Sequence, residues 1–249
     1  MEMMKVTIYS KVIVLLAAMV LTTSCLGDFD YEAKGWLQVG KPDTDTPAMS
    51  RAADDEEIDY LVSVVQNSDI IVSPVRFSAI SGQISLAAGD YTLMAESCTQ
   101  REAESEPTLF GQPRYTGSKP FSIEPGKGTT VNLTCTMANA AFKVVKDASF
   151  HYTSFTVSAT LNGRTLDFTD DAQMGYFNVG EDGTATLVYT VVATDAEGNE
   201  GRGSGSISLK ARNLSRLHLK GSQLGSIDLS VTYDDTFTPY VTEVILKEE

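Results

Sequence analysis

Two histidines, three cysteines and one tryptophan in 249 residues leave the chain short of the side chains that carry most acid–base catalysis and transition-metal ligation. Charge is sparse, at 21%, and one-sided: 19 Lys and Arg against 33 Asp and Glu give a formal net charge of −14. A surface of that sign repels phosphate backbones, which excludes nucleic acid as a partner. A hydrophobic content of 42% excludes a disordered chain. Long apolar runs are missing: residues 12–21 (VIVLLAAMVL) reach only about half of the ~20 residues that a membrane-crossing helix needs. Helical periodicity is missing too, because no long stretch repeats its apolar residues at the helical spacing. The length suits one large domain or two modest ones.

The apolar run follows Lys5 and Lys11 and precedes Thr22, Thr23, Ser24 and Cys25, the order of regions in a secretory signal. Leu21-Thr-Thr-Ser-Cys25 resembles a bacterial lipobox, although Thr22 stands where that motif usually has Leu. The resemblance implies that residues 1–24 are a lipoprotein signal peptide, that Cys25 is lipidated, and that acyl chains hold the protein to the outer membrane. Leu26-Gly-Asp-Phe-Asp-Tyr-Glu32 carries acids at alternate positions and resembles the export tag of Bacteroidales surface lipoproteins, which implies surface exposure. Residues 25–57 read as a lipidated tether, a first strand at 36–39 (WLQV) and a polar linker. Trp36 is expected to anchor that strand in the core.

From residue 58 onward the period is two. Residues 58–64 and 70–73 flank a turn signal at 66–69 and read as a hairpin. Residues 84–86 with 90–95, about Ala88-Gly89, and 121–123 with 129–137, about 124–128, read as two more, so a meander is expected. Short runs at 141–145, 151–160, 165–168, 175–179, 185–194, 205–209, 214–219 and 227–233 continue the pattern, with Asn162-Gly163 the strongest hairpin signal. Residues 240–246 (YVTEVIL) read either as an edge strand or as a tail that docks elsewhere. Roughly fourteen strands exceed one ordinary sandwich. The expected fold is therefore all-β, two tandem β-sandwiches over residues 58–138 and 139–249.

Leu86-Ala-Ala-Gly-Asp-Tyr-Thr-Leu-Met-Ala-Glu-Ser97, Phe110-Gly-Gln-Pro-Arg-Tyr-Thr-Gly117, Val131-Asn-Leu-Thr-Cys135, Asn139-Ala-Ala-Phe-Lys-Val144 and Gly175-Tyr-Phe177 stand in an order that resembles a Bacteroidales lipoprotein family. That family is known only as a domain of unknown function and is akin to the fimbrillin-like proteins. The resemblance covers residues 35–220 and implies transthyretin-like sandwiches in a fibre or adhesion setting, with fimbrial subunits as partners. It also implies proteolytic processing after an arginine near the start of the first domain. Arg51, in Ser-Arg-Ala, occupies a comparable place.

Residues suited to catalytic chemistry are few. No Gly-x-Ser-x-Gly accompanies His151 or His218, which read as strand or surface residues. Residues 121–130 lack the first glycine and the hydroxyl of a phosphate loop, and no helix follows. The acidic clusters at 54–57, at Asp167, Asp170 and Asp171, at Asp195, Glu197 and Glu200, and at Asp234 and Asp235 read as solvated runs ahead of calcium ligands or a glycosidase pair. No cofactor, metal or enzymatic activity is expected. Cys98 and Cys135 are a candidate disulfide outside the cytoplasm, or else two quiet buried thiols. Phe110 and Tyr115 are candidate glycan contacts, or else packing residues. These readings converge on a non-enzymatic surface lipoprotein serving adhesion, or acting as accessory or anchor of a fimbria-like fibre. The alternative is a glycan-binding surface lipoprotein that assists polysaccharide uptake.

Overall fold

Alternation of side chains across each strand sets what is buried. In β6 (Gly89–Glu96), Tyr91, Leu93 and Ala95 are enclosed, whereas Thr92, Met94 and Glu96 turn outward. In β14 (Thr184–Thr194), Leu187, Tyr189, Val191 and Ala193 are enclosed between outward Thr186, Val188 and Thr190. Such strands need a second apolar layer, and the chain supplies it twice. A computed structural model describes residues 33–44, 58–223 and 226–234, and it is all-β in two sandwiches.

The first sandwich holds β1 (Lys34–Val39), β2 (Asp43–Thr44), β3 (Leu61–Gln66), β4 (Asp69–Arg76), β5 (Ile84–Ala87), β6, β7 (Tyr115–Ile123), β8 (Gly128–Val131) and β9 (Thr134–Met137). A six-stranded sheet, β2-β9-β7-β6-β3-β4, faces a three-stranded sheet, β5-β1-β8. Their core gathers Leu37, Tyr60, Val64, Leu93, Tyr115 and Cys135 among others. The second sandwich holds β10 (Ala140–Lys146), β11 (Ser154–Leu161), β12 (Arg164–Phe168), β13 (Met174–Phe177), β14, β15 (Glu200–Lys210), β16 (Leu214–Gln223) and β17 (Ser226–Asp234). Its sheets, β13-β10-β16-β17 and β12-β11-β14-β15, enclose Phe142, Val157, Phe168, Phe177, Leu187 and Leu217 among others. The Asn162-Gly163 turn forms as expected, with φ of 50° and 83°, and joins β11 to β12.

The structure corrects the expected meander. Of the three hairpins, only β3–β4 forms. β5 pairs with β1 and β6 pairs with β3 and β7, so Ala88-Gly89 is a corner between layers rather than a hairpin turn. Residues 124–127 are a second corner, because β8 pairs in parallel with β1 instead of turning back on β7. A period of two reports which side chains are buried, but not which neighbour a strand chooses. Trp36 is a second correction. It is 42% exposed, and Leu37, one position along, is fully buried in its place.

Inside the second sandwich, the glycines of the run 201–205 make room for large side chains. A Cβ on Gly201 would come within 2.3 Å of the Tyr152 hydroxyl, one on Gly203 within 2.9 Å of Leu229, and one on Gly205 within 2.6 Å of the Tyr189 hydroxyl. The run is a strand whose inner face was left bare for its neighbours.

Candidate functional site

The first candidate is the slot that β1 occupies. β1 is the middle strand of its sheet, antiparallel to β5 from Lys34↔Ala87 to Leu37↔Ile84 and parallel to β8 from Trp36↔Gly128 to Val39↔Val131. Main-chain bonds pin the segment along its length. The Trp36 amide donates to the Lys127 carbonyl at 2.9 Å, the Gly40 amide to Val131 at 2.9 Å, and the Asp43 amide to Leu133 at 2.9 Å. Leu37 points into the core, where full burial of a side chain of its size contributes about 1.5–3 kcal/mol. At Gly35 a Cβ would lie 2.4 Å from the Glu124 carbonyl oxygen, so backbone meets backbone where no side chain fits. Beyond β1, two-residue β2 pairs in parallel with β9, and the hydroxyls of Thr44 and Tyr60 meet at 2.5 Å. The residues that close the slot therefore precede the linker that carries Arg51, and the residues that line it follow that linker.

The β4 edge is less inviting. β4 carries Pro74 and two register shifts against β3, devices that blunt an edge against further pairing, although Ile70 is 63% exposed there.

A second candidate is the joint between the sandwiches. Helix α1 (Gln100–Ser105) starts with a capping box, in which the Glu102 amide donates to Thr99 Oγ1 at 3.2 Å and the Thr99 amide donates to Glu102 Oε2 at 2.8 Å. Arg164, at the start of β12, reaches this helix. Its guanidinium donates to the carbonyls of Tyr176 at 2.6 Å, of Glu104 at 2.7 Å, and of Leu109, and its face lies 5.1 Å from the Phe177 ring centroid. The Glu104 carboxylate lies 3.9 Å from the guanidinium and accepts the Asn178 amide at 2.9 Å. Burial lowers the Arg164 pKa from its ordinary value, an effect that Glu104 opposes. Phe110 packs edge to face on Phe168 at 5.1 Å, and its carbonyl accepts the Tyr176 amide at 2.8 Å. Gly111 has φ of 78°, and a Cβ there would lie 2.3 Å from the Ala103 carbonyl oxygen. Fully buried Asn139 completes the joint: its Oδ1 accepts from the Arg114 amide at 3.1 Å, and its Nδ2 donates to Gln112 at 2.8 Å.

The remaining sequence candidates disperse. Cys25 and Arg51 lie outside the described residues. Phe110 and Tyr115 do not form a glycan platform, because Phe110 is wedged against the second core and Tyr115 is only 2% exposed. The candidate disulfide is not formed: Cys98 and Cys135 are both free and buried. Cys135 lies on β9 beside β7, so that a Cβ on Gly117 would come within 3.1 Å of its sulfur. Burial pushes the Cys135 thiol up to about 11 and raises that of Cys98 as well. His218 shares a 2.8 Å hydrogen bond with Thr232, and His151 is exposed outside any strand. The acidic loops use their carboxylates on themselves. Asp195 accepts from the Asn199 side chain at 2.9 Å and from the Glu197 and Asn199 amides at 3.0 and 2.7 Å, which lowers its pKa. Asp170 is lowered chiefly by the Ala172 amide, and Asp182 by Thr184. Among the described residues no group of three His, Cys, Asp or Glu side chains is placed to hold a metal.

A family model described as a domain of unknown function (DUF4493) matches residues 33–248. No curated protein matches the chain in sequence. Similar solved structures include a candidate cell-adhesion protein from Bacteroides eggerthii, 11% identical, covering 81% of this chain and 95% of its own, with a TM-score of 0.46. A fimbrial assembly protein from Parabacteroides distasonis is 9% identical, with coverages of 81% and 97% and a TM-score of 0.43. A fimbrial anchor protein from Porphyromonas gingivalis is 12% identical, with coverages of 81% and 98% and a TM-score of 0.41.

Proposed function

The chain belongs to the DUF4493 family, and from that premise we propose that it is a non-enzymatic, surface-displayed lipoprotein acting in adhesion or as an accessory or anchor of a fimbria-like fibre. Residues 1–24 are its signal peptide, Cys25 carries the lipid, the outer membrane holds it, and the body divides at 138/139. The observation that carries the reading is the seat of β1. A strand that lies upstream of the linker fills the middle of a sheet whose other members all lie downstream, so a single cut in the linker converts an internal strand into a separate, replaceable one.

The mechanism is β-augmentation, in which main-chain hydrogen bonds supply affinity and alternate pockets, such as the one holding Leu37, supply register. Uncut, the lipid-held chain keeps its own strand in the slot and ends a fibre. Cut at Arg51, it opens the slot to a neighbour's strand. The test is size-exclusion chromatography with light scattering on the chain before and after cleavage at Arg51, together with co-purification from the native surface. The reading expects a monomer before cleavage, and either assembly after it or a fibre component bound to the uncut protein. A protein that stays monomeric in both forms and brings no fibre component with it refutes the reading. Cys25→Ser must also release it from the membrane.

A further inference from the structure

A depression of about 520 Å³ opens on the outer face of the six-stranded sheet, a size within the ~300–1,000 Å³ of small-ligand sites. Two rows of outward side chains build it. Ser63 of β3, Met94 of β6 and Ser118 of β7 stand opposite one another in the first row, and Leu61, Glu96, Thr116 and, on β9, Thr136 in the second. Alternation puts them there, because Val62 and Val64, Leu93 and Ala95, and Cys135 and Met137 take the buried positions of the same strands. Thr134 adds a further hydroxyl to those of Ser63, Thr116, Ser118 and Thr136. Elsewhere such groups are spent on their neighbours, Thr160 on Thr165 at 2.8 Å and Ser158 on Asp167 at 2.6 Å. Among the described residues no hydrogen bond joins two of the hydroxyls in the depression.

The lining selects a ligand by its chemistry. Its charged side chains are Arg114 and Glu96, and they neutralise each other: Arg114 Nη2 donates to Glu96 Oε2 at 2.8 Å, and Arg114 Nε donates to the Cys98 carbonyl at 3.1 Å. The two side chains are 16% and 30% exposed, so the pair is held in place and still reachable. On a chain of net charge −14 this is a neutral spot, which favours neither an anion nor a cation. A peptide strand finds no main chain to pair with, because β6 is bonded to β3 on one side and to β7 on the other. The ligand must therefore be read by side chains alone. The hydroxyls both donate and accept, the guanidinium and carboxylate can meet two neighbouring hydroxyls of a ligand, and the 44% exposed Met94, with Pro74, offers apolar contact. A pyranose ring carries the matching groups, hydroxyls around its rim and C–H bonds on its face.

We infer that this depression binds a neutral sugar unit of a glycan chain. The inference gives the adhesion reading its ligand class and rests on that reading for its setting outside the cell. The site lies on the sheet opposite the β1 slot. Glycan binding by a chain that fails the Arg51 assembly test removes only the fibre role, and assembly without glycan binding removes only this site.

The test applies the purified full chain to an array of neutral, sialylated and sulfated oligosaccharides, and titrates the strongest neutral ligand by calorimetry. Neutral glycans are expected to be retained ahead of charged ones. Glu96→Gln, which keeps the shape but removes the charged acceptor, should weaken binding about tenfold or more. Ser118→Trp, which fills the depression from an exposed position, should abolish it. Trp36→Ala, on the opposite sheet, should leave it unchanged. Retention of sialylated or sulfated glycans alone, or of none, overturns the proposal. So does neutral binding that survives Glu96→Gln and Ser118→Trp, or that Trp36→Ala removes. Capture of peptides instead of glycans, lost in Ser118→Trp, overturns it in favour of a protein partner. If Ser118→Trp fails to fold, the isosteric Glu96→Gln decides the question.

Discussion

Arg164→Ala removes the guanidinium that ties the second sandwich to α1 and to the segment after it. Three main-chain carbonyls, those of Tyr176, Glu104 and Leu109, lose a charged donor at once, and Phe177 loses the cation over its ring. A hydrogen bond to a charged group contributes about 1.5–3 kcal/mol. The three do not add, since one guanidinium serves them all and water refills part of the joint: the Arg164 side chain is 19% exposed and that of Glu104 29%. The expected loss is about 3 kcal/mol, well above the ~1 kcal/mol ceiling for exposed ion pairs. For a body of this size that corresponds to a fall of about 6–12 °C in Tm. Arg164→Lys restores the charge but not the fork and should recover only part of the loss. Urea unfolding and calorimetry on both variants provide the measurement. A loss below about 1 kcal/mol for Arg164→Ala, or full recovery by Lys, would refute the argument that the fork holds the joint.

Leu37→Ala should cost about 2–5 kcal/mol, because it empties a fully buried position in the slot, whereas Trp36→Ala, at an exposed position, should cost under about 1 kcal/mol; urea midpoints decide between them. Gly111→Ala forces a Cβ into left-handed backbone against the Ala103 carbonyl and should destabilise by more than about 1 kcal/mol, measured the same way. Cys98 and Cys135 should resist a thiol reagent at pH 8 in the folded chain and react at once in denaturant. Since Cys135 ionises near 11 when folded against an ordinary 9.0, its contribution to stability is complete below the ordinary value and disappears as pH rises from 9.0 towards 11. A Cys135→Ala chain should lose that part of the alkaline slope.

Fold class was legible in the sequence because burial in a sandwich is written in alternation, one residue at a time, and the Asn162-Gly163 turn is written in its own φ angles. Strand partners were not legible, since a corner such as Ala88-Gly89 and a hairpin turn use the same residues. Which member of a pair faces inward was also hidden at Trp36 and Leu37, where size favoured the residue that lies outside. Arg164 gave no local signal, because two of its acceptors lie 60 and 55 residues away. Tyr115 looked available for a sugar only while its strand was unplaced. It opens β7 opposite Met137 and is enclosed by the core.

In the proposed function, β1 becomes an exchangeable strand once the linker is cut. This exchange is tested most directly by adding a labelled peptide of residues 33–44 to the chain before and after cleavage at Arg51 and measuring the label retained on the protein. No uptake by the intact chain is expected, and stoichiometric uptake by the cut chain as the original strand leaves. A cut chain that takes up no peptide, or an intact chain that takes it up equally well, would rule out strand exchange at this slot.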